Sequence, residues 1–302
     1  MALAAPTASL SVRRFRRWHS ASRHFSSPLA IASLVILFVV LACAIAPNVL
    51  APEDPFQQNL AGRLLFPSAI SDGSNYLLGS DQLGRDILSR IIYGARVTLF
   101  ISVAAVLIAG AIGTTAGLIA GYNGGFIDAI VLRFIDMQLA FPVILLVIAV
   151  VAVVGPSLAS LVVIMGLSGW PQFARIVRAA VISVRQLEYV DAARSIGASP
   201  LRIVFKHIAP NVLSATIVFA TYELSRMILI EATLSFLGLG VQPPTPTWGG
   251  MISEGQKYIS VAWPASVFPG IAIAGTILVI NMLGDVLRDA LDPYLSDVPH
   301  GK

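Results

Sequence analysis

Side chains able to do chemistry are sparse in this sequence, and most of them sit in two places. The first is the polar run Glu188-Tyr189-Val190-Asp191-Ala192-Ala193-Arg194-Ser195-Ile196-Gly197-Ala198-Ser199-Pro200, which continues to Ile208-Ala209-Pro210-Asn211. The second is Glu223, Arg226 and Glu231, inside or at the edge of an apolar stretch. Neither presents a nucleophile beside a base, so no catalytic residue is assigned. His19, His24, His207 and His300 are scattered without metal-ligand spacing, so no metal site is assigned either. Cys43 stands alone, and one thiol builds no disulfide, zinc site or redox pair within a chain. No GxxxxGK[ST] phosphate loop occurs, so the chain has no recognisable ATP site.

What these residues can do is present a shape. Tyr189, Ala192, Ala193 and Ile196 fall at i, i+3, i+4 and i+7, one face of a short helix. Gly197 suits the left-handed position that ends such a helix. Ser199 can cap a second helix with Pro200 in its first turn. That helix would carry Leu201, Val204, Phe205 and Ile208 on one side and Arg202 and Lys206 on the other, with Pro210 at its link to the next segment. On pattern alone, two readings stay open: a docking surface for another protein, or an amphipathic loop lying on lipid. Glu223 and Arg226 are three apart and can pair on one helix face. They and Glu231 either line a pore or inter-subunit contact, or form an ion pair satisfied within a bundle.

The elements that must position these residues are membrane helices. The 302 residues are 56% hydrophobic and 12% charged, against about 25% charged in soluble domains. Six segments approach the ~20 apolar residues needed to cross a bilayer: Leu29–Leu50, Val97–Tyr122, Met137–Val154, Ser157–Ile182, Val212–Gly238 and Val261–Leu283. Gly155-Pro156 separates the third from the fourth, and Trp170-Pro171 is expected to kink the fourth or mark its boundary. Gly110, Gly113 and Gly117 allow close helix packing. Trp248 reads as a partner contact or as an interfacial anchor.

The net charge of +4 does not point to nucleic acid, because the basic residues gather at segment ends, where they set topology. Arg13, Arg14, Arg16, Arg17 and Arg23 precede the first segment, and Ala46-Pro47-Asn48 makes a poor cleavage site. An uncleaved first helix behind a cytosolic basic tail is expected. Arg133, and Arg175, Arg178, Arg185, Arg194, Arg202 and Lys206 around the fourth-to-fifth loop, fall on the same side. The positive-inside rule makes that side cytosolic, with both termini there, and places Pro47–Tyr93 and Val241–Ser260 outside. Asp128, Arg133 and Asp136 are expected to order a cytosolic turn.

With the motifs laid out, the chain resembles permease subunits of bacterial ABC importers. Asp191-Ala192-Ala193, Gly197 and Pro210 resemble that family's EAA loop, with Asp191 where glutamate is commoner and Ala209 where leucine is usual. Leu78–Arg96, Leu234–Gly240, Pro243–Gly249 and Asn281–Pro293 are similar to segments of the C-type permease of dipeptide, oligopeptide and nickel importers, with Ser80 in place of threonine. The resemblance implies an all-α polytopic fold of six transmembrane helices, the type I importer transmembrane domain, in the bacterial inner membrane. It implies a basic tail over 1–28, a first helix over 29–50, an extracytoplasmic segment over 51–95, a five-helix core over 96–294 with the coupling loop at 185–210, and a tail over 295–302. Implied partners are a second permease completing the pore, two cytosolic ATPases that use ATP and Mg, and an extracytoplasmic solute-binding protein. Glu188, Tyr189, Asp191, Ala192, Ala193, Ile196, Gly197, Ala198, Ser199 and Pro200 would then couple to the ATPases. Peptides are the expected cargo, with nickel chelates or another solute as alternatives. The rival from another class is an ion-driven secondary transporter using Glu223 or Glu231.

Overall fold

The computed structural model describes residues 28–71 and 74–291. The basic tail over 1–27, Asp72 and the tail over 295–302 lie outside the described residues, as do Asp292 and Pro293. The described residues are mostly helical, with one hairpin, β1 (Ala69–Ser71) against β2 (Ser74–Tyr76), antiparallel with Ile70 opposite Asn75. In order, the helices are α1 (Pro28–Ile45), α2 (Pro47–Leu50), α3 (Ile87–Asn123), α4 (Gly125–Leu139), α5 (Val143–Val154), α6 (Leu158–Arg185), α7 (Glu188–Ser195), α8 (Pro200–Phe236), α9 (Trp248–Gly255) and α10 (Pro264–Leu291).

Four of these, α3, α6, α8 and α10, are long and apolar enough to cross a membrane. The pair α4 and α5 makes a fifth span if counted as one. The apolar helix α1 is shorter, so length and composition support up to five spans among the described residues against the six expected.

Two boundaries differ from expectation for identifiable reasons. Helix α3 starts ten residues earlier than the apolar run, because Asp86 caps it by accepting the Ser89 N–H at 2.7 Å. Its 37 residues extend about 55 Å, well beyond a hydrocarbon core of about 30 Å. The third segment is broken by an 80° bend between α4 and α5. Pro142 has no N–H to continue α4 and disfavours helical geometry at Phe141. In contrast, α6 runs through Trp170-Pro171 as one helix.

Helices α3 and α6 form the most extensive pair, and glycine is the reason. A Cβ at Gly113 would lie 2.4 Å from Phe173 Cβ and from the Trp170 carbonyl. One at Gly117 would lie 2.7 Å from the Ala174 carbonyl. This four-residue spacing lets the backbones approach, as anticipated. The main core then fills with Ile101, Ala105, Leu161, Met165, Phe173, Met227 and Leu234 from α3, α6 and α8, with Val147 and Val151 of α5 against them. Helix α10 packs on α8, α9 and α1. Two ion pairs fasten α4 to α6: Arg178 with Asp128 (Nη2 to Oδ2, 2.6 Å) and Arg175 with Asp136 (3.0 Å). The expected turn-ordering residues Asp128 and Asp136 thus tie one helix to another.

Candidate functional site

The polar run lies where α6 hands over to α8, and its local chemistry matches its sequence. Helix α7 ends in a complete Schellman motif: the Gly197 N–H donates to the Arg194 carbonyl (3.0 Å) and the Ala198 N–H to the Ala193 carbonyl (3.1 Å). Gly197 has φ +79°, a conformation that costs a residue with a Cβ about 1–2 kcal/mol. Ser199 caps α8 by accepting the Arg202 N–H, with Pro200 at the first turn. Asp191 pairs with Arg194 at 2.9 Å, both side chains exposed.

The faces divide differently from the expected apolar stripe. Val190 and Ala193 turn inward, with Val190 0% exposed. Val190 joins Val177 and Val181 of α6 and Ile203, Ile208 and Val212 of α8 in one buried cluster. Tyr189, Ala192 and Ile196 face outward with Glu188, and Ile196 is 86% exposed. On α8, Leu201 and Phe205 are exposed while Ile203 and Ile208 are buried. Sequence reasoning missed Val190 and Ile203. Their signal was the three-residue step Val190–Ala193 and the five-residue step Ile203–Ile208.

That five-residue step has a cause. The turn Val204–Ile208 is a π turn, and the Ala209 N–H reaches back to the Val204 carbonyl. It lets the helix accommodate Pro210 without a break, so Pro210 lies inside α8 and marks no separate link. The loop is thereby rigidly continuous with a long helix. Asn211 adds a tie by donating to the Tyr189 hydroxyl at 3.2 Å.

Inside α8, Glu223 is fully paired, whereas the Oε2 of buried Glu231 has no partner among the described residues. Glu223 is 0% exposed, and Arg226 donates to it through Nε (2.9 Å) and Nη2 (2.5 Å). Glu231 is also buried and accepts from Ser235 Oγ at 2.6 Å. A cavity of about 730 Å³ opens between α6, α8 and α10, with Phe219, Tyr222, Asn281, Asp285 and Arg288 in its lining.

The opposite end of the bundle holds a polar centre not anticipated as a unit. Asp81 Oδ2 accepts from Arg85 Nε at 2.7 Å and from Arg90. Glu254 Oε2 of α9 accepts from Arg85 Nη2 (2.8 Å), Arg90 Nη1 (3.0 Å) and Gln82 (3.1 Å). Burial alone would raise the Glu254 carboxyl, but Arg90, Gln82 and Arg85 together hold it below its ordinary value. Beside this centre, Trp248 is 1% exposed and donates its indole N–H to the Ile91 carbonyl at 2.9 Å. Gly94 makes room for it, since a Cβ there would lie 3.0 Å from the indole. Trp248 is therefore a core strut, and neither expected role, partner contact or interfacial anchor, fits its position.

Comparison with known proteins shows the family to which this fold belongs. Residues 113–297 match the family described as binding-protein-dependent transport system inner membrane component. Residues 10–67 match the N-terminal TM domain of oligopeptide transport permease C. The dipeptide transport system permease protein DppC of Haemophilus influenzae is 43% identical over 268 residues, 88% of this chain and 90% of the relative. The di/tripeptide transport system permease protein DppC of Pseudomonas aeruginosa is 41% identical, covering 89% of each chain. The glutathione transport system permease protein GsiD of Escherichia coli is 43% identical over 94% of this chain and 89% of the relative. A chain of the inward-facing MetNI methionine ABC transporter shares the fold, with a TM-score of 0.56 and 19% identity over 68% of this chain and 98% of that one. The chain belongs to the family of inner membrane components of binding-protein-dependent transport systems, as a multi-pass permease subunit.

Proposed function

We propose that this chain is one half of the pore of an ATP-driven peptide importer, and that the loop Glu188–Pro200 couples it to a cytosolic ATPase. The observation that carries the coupling role is the rigidly capped loop, with Tyr189, Ala192, Ile196, Leu201 and Phe205 held outward between two long helices. A surface so fixed transmits a push directly to α6 and α8. ATP and Mg belong to two partner ATPases, and a second permease completes the pore. An extracytoplasmic binding protein delivers substrate at the end that holds Asp81 and Glu254. The termini and the α6–α8 loop are then cytosolic, in keeping with the distribution of Arg and Lys.

Di- and tripeptides are the proposed cargo, supported by relatives named for dipeptide, di/tripeptide and glutathione transport. The cavity with Asp285 and Arg288 has opposite charges suited to a zwitterion's two ends. ATP-driven closure of the ATPases would draw the loop and turn the helices from inward-facing to outward-facing. The test is uptake of a labelled dipeptide. Gly197→Pro and Asp191→Lys each abolish uptake while the protein still inserts, and normal uptake in both overturns the coupling role.

A further inference from the structure

The segment around Asp81 carries two groups of carboxylates, and only one group is neutralised. Asp81 and Glu254 share Arg85 and Arg90. Glu53, Asp54 and Asp86 pair with no Lys or Arg among the described residues. These three line a polar cavity of about 240 Å³ together with Gln57, Gln58 and Tyr76. Asp86 is 2% exposed. Its Oδ2 accepts from the Ser89 N–H and hydroxyl, each at 2.7 Å, while its Oδ1 has no partner among the described residues. A buried carboxylate oxygen without a donor is costly, and folded proteins normally satisfy such atoms. Burial pushes the Asp86 carboxyl up against the opposing Ser89 bonds, and the Glu53 charge adds to the rise.

The arrangement selects the kind of cation. Among the described residues, no three His, Cys, Asp or Glu side chains converge closely enough to hold a metal ion. The acceptors are instead spread around the cavity, from buried Asp86 through half-buried Glu53 to exposed Asp54 and the amides of Gln57 and Gln58. A group with several N–H donors on a flexible stem matches dispersed acceptors. We propose that this cavity binds an alkylammonium or guanidinium group, with Asp86 as the buried anchor and Glu53 and Asp54 at the rim.

Two sources carry that chemistry: a basic side chain of the docking binding protein, which rests on the importer reading above, or a small cationic solute. The experiment uses the intact importer in nanodiscs with its binding protein, comparing wild type with Asp86→Asn and Glu53→Gln. Asparagine is also a good helix cap, so Asp86→Asn preserves the start of α3. The probe is agmatine, which carries both cationic groups. Expected for docking is binding-protein affinity about tenfold weaker in both variants at low salt, with the gap closing at high salt. Expected for a solute is an agmatine-induced rise in melting temperature in wild type that both variants lose, with binding-protein affinity unchanged. Unchanged affinity together with no agmatine effect overturns the site. Failure of the binding protein to stimulate wild-type ATP hydrolysis would instead overturn the importer reading.

Discussion

The two ends of the bundle handle the same residue types in opposite ways. At the α9 end, buried Asp81, Arg85 and Arg90 and partly buried Glu254 neutralise one another, and Trp248 is itself buried. At the α7 end, the ion pair Asp191–Arg194 is exposed, and Ile196, Leu201 and Phe205 face outward. The first end spends its side chains on holding itself together. The second is held by backbone caps and by Val190, Ala193, Ile203 and Ile208, which leaves its outer side chains free for a partner. The difference teaches where to look for contact: buried paired charge belongs to the scaffold, while the exposed apolar residues on a rigid frame are those the proposed coupling role would use.

This contrast can be broken from either end. Arg90→Ala leaves buried Asp81 with one cation fewer, and loss of a buried partner costs about 3–5 kcal/mol. The expected result is a large fall in melting temperature of the detergent-purified protein. Trp248→Ala is expected to cost about the same, through a cavity beside Gly94 and the lost indole hydrogen bond to the Ile91 carbonyl, in the same assay. Gly197→Ala retains the loop but strains a left-handed residue, with an expected loss of about 1–2 kcal/mol and a measurable drop in dipeptide uptake.

Acid sharpens the contrast next. Glu254 has its folded pKa below its unfolded value, so its contribution to stability is full above the unfolded value and is lost as pH falls through the lowered one. Melting temperature should therefore hold near neutral pH and fall in acid below the ordinary carboxylate range, and Glu254→Gln should flatten that part of the curve. The smallest stability effect belongs to Ile196→Ser, expected within about 0.5 kcal/mol of wild type. If the α7 end is a docking surface, this variant nevertheless loses uptake. A variant that melts normally and transports normally would remove Ile196 from the coupling surface.

The sequence by itself determined what depends on neighbours along the chain. The helix stop at Gly197, the cap at Ser199-Pro200 and the Glu223–Arg226 pair all involve residues a few positions apart, so their partners were visible in the spacing. The apolar segments were legible for the same reason, as was the glycine spacing that brings α3 against α6. Only the tertiary structure decided which face of α7 turns inward, because that depends on Val177 and Val181 of α6 and on a π turn that shifts the register of α8. It also decided that Trp248 is buried, since the space for it is made by Gly94, far away in sequence. The bond between Arg90 and Glu254 spans 164 positions, and no local period encodes a contact of that range. Local backbone chemistry wrote the loop's shape, and long-range packing chose which of its side chains remain available.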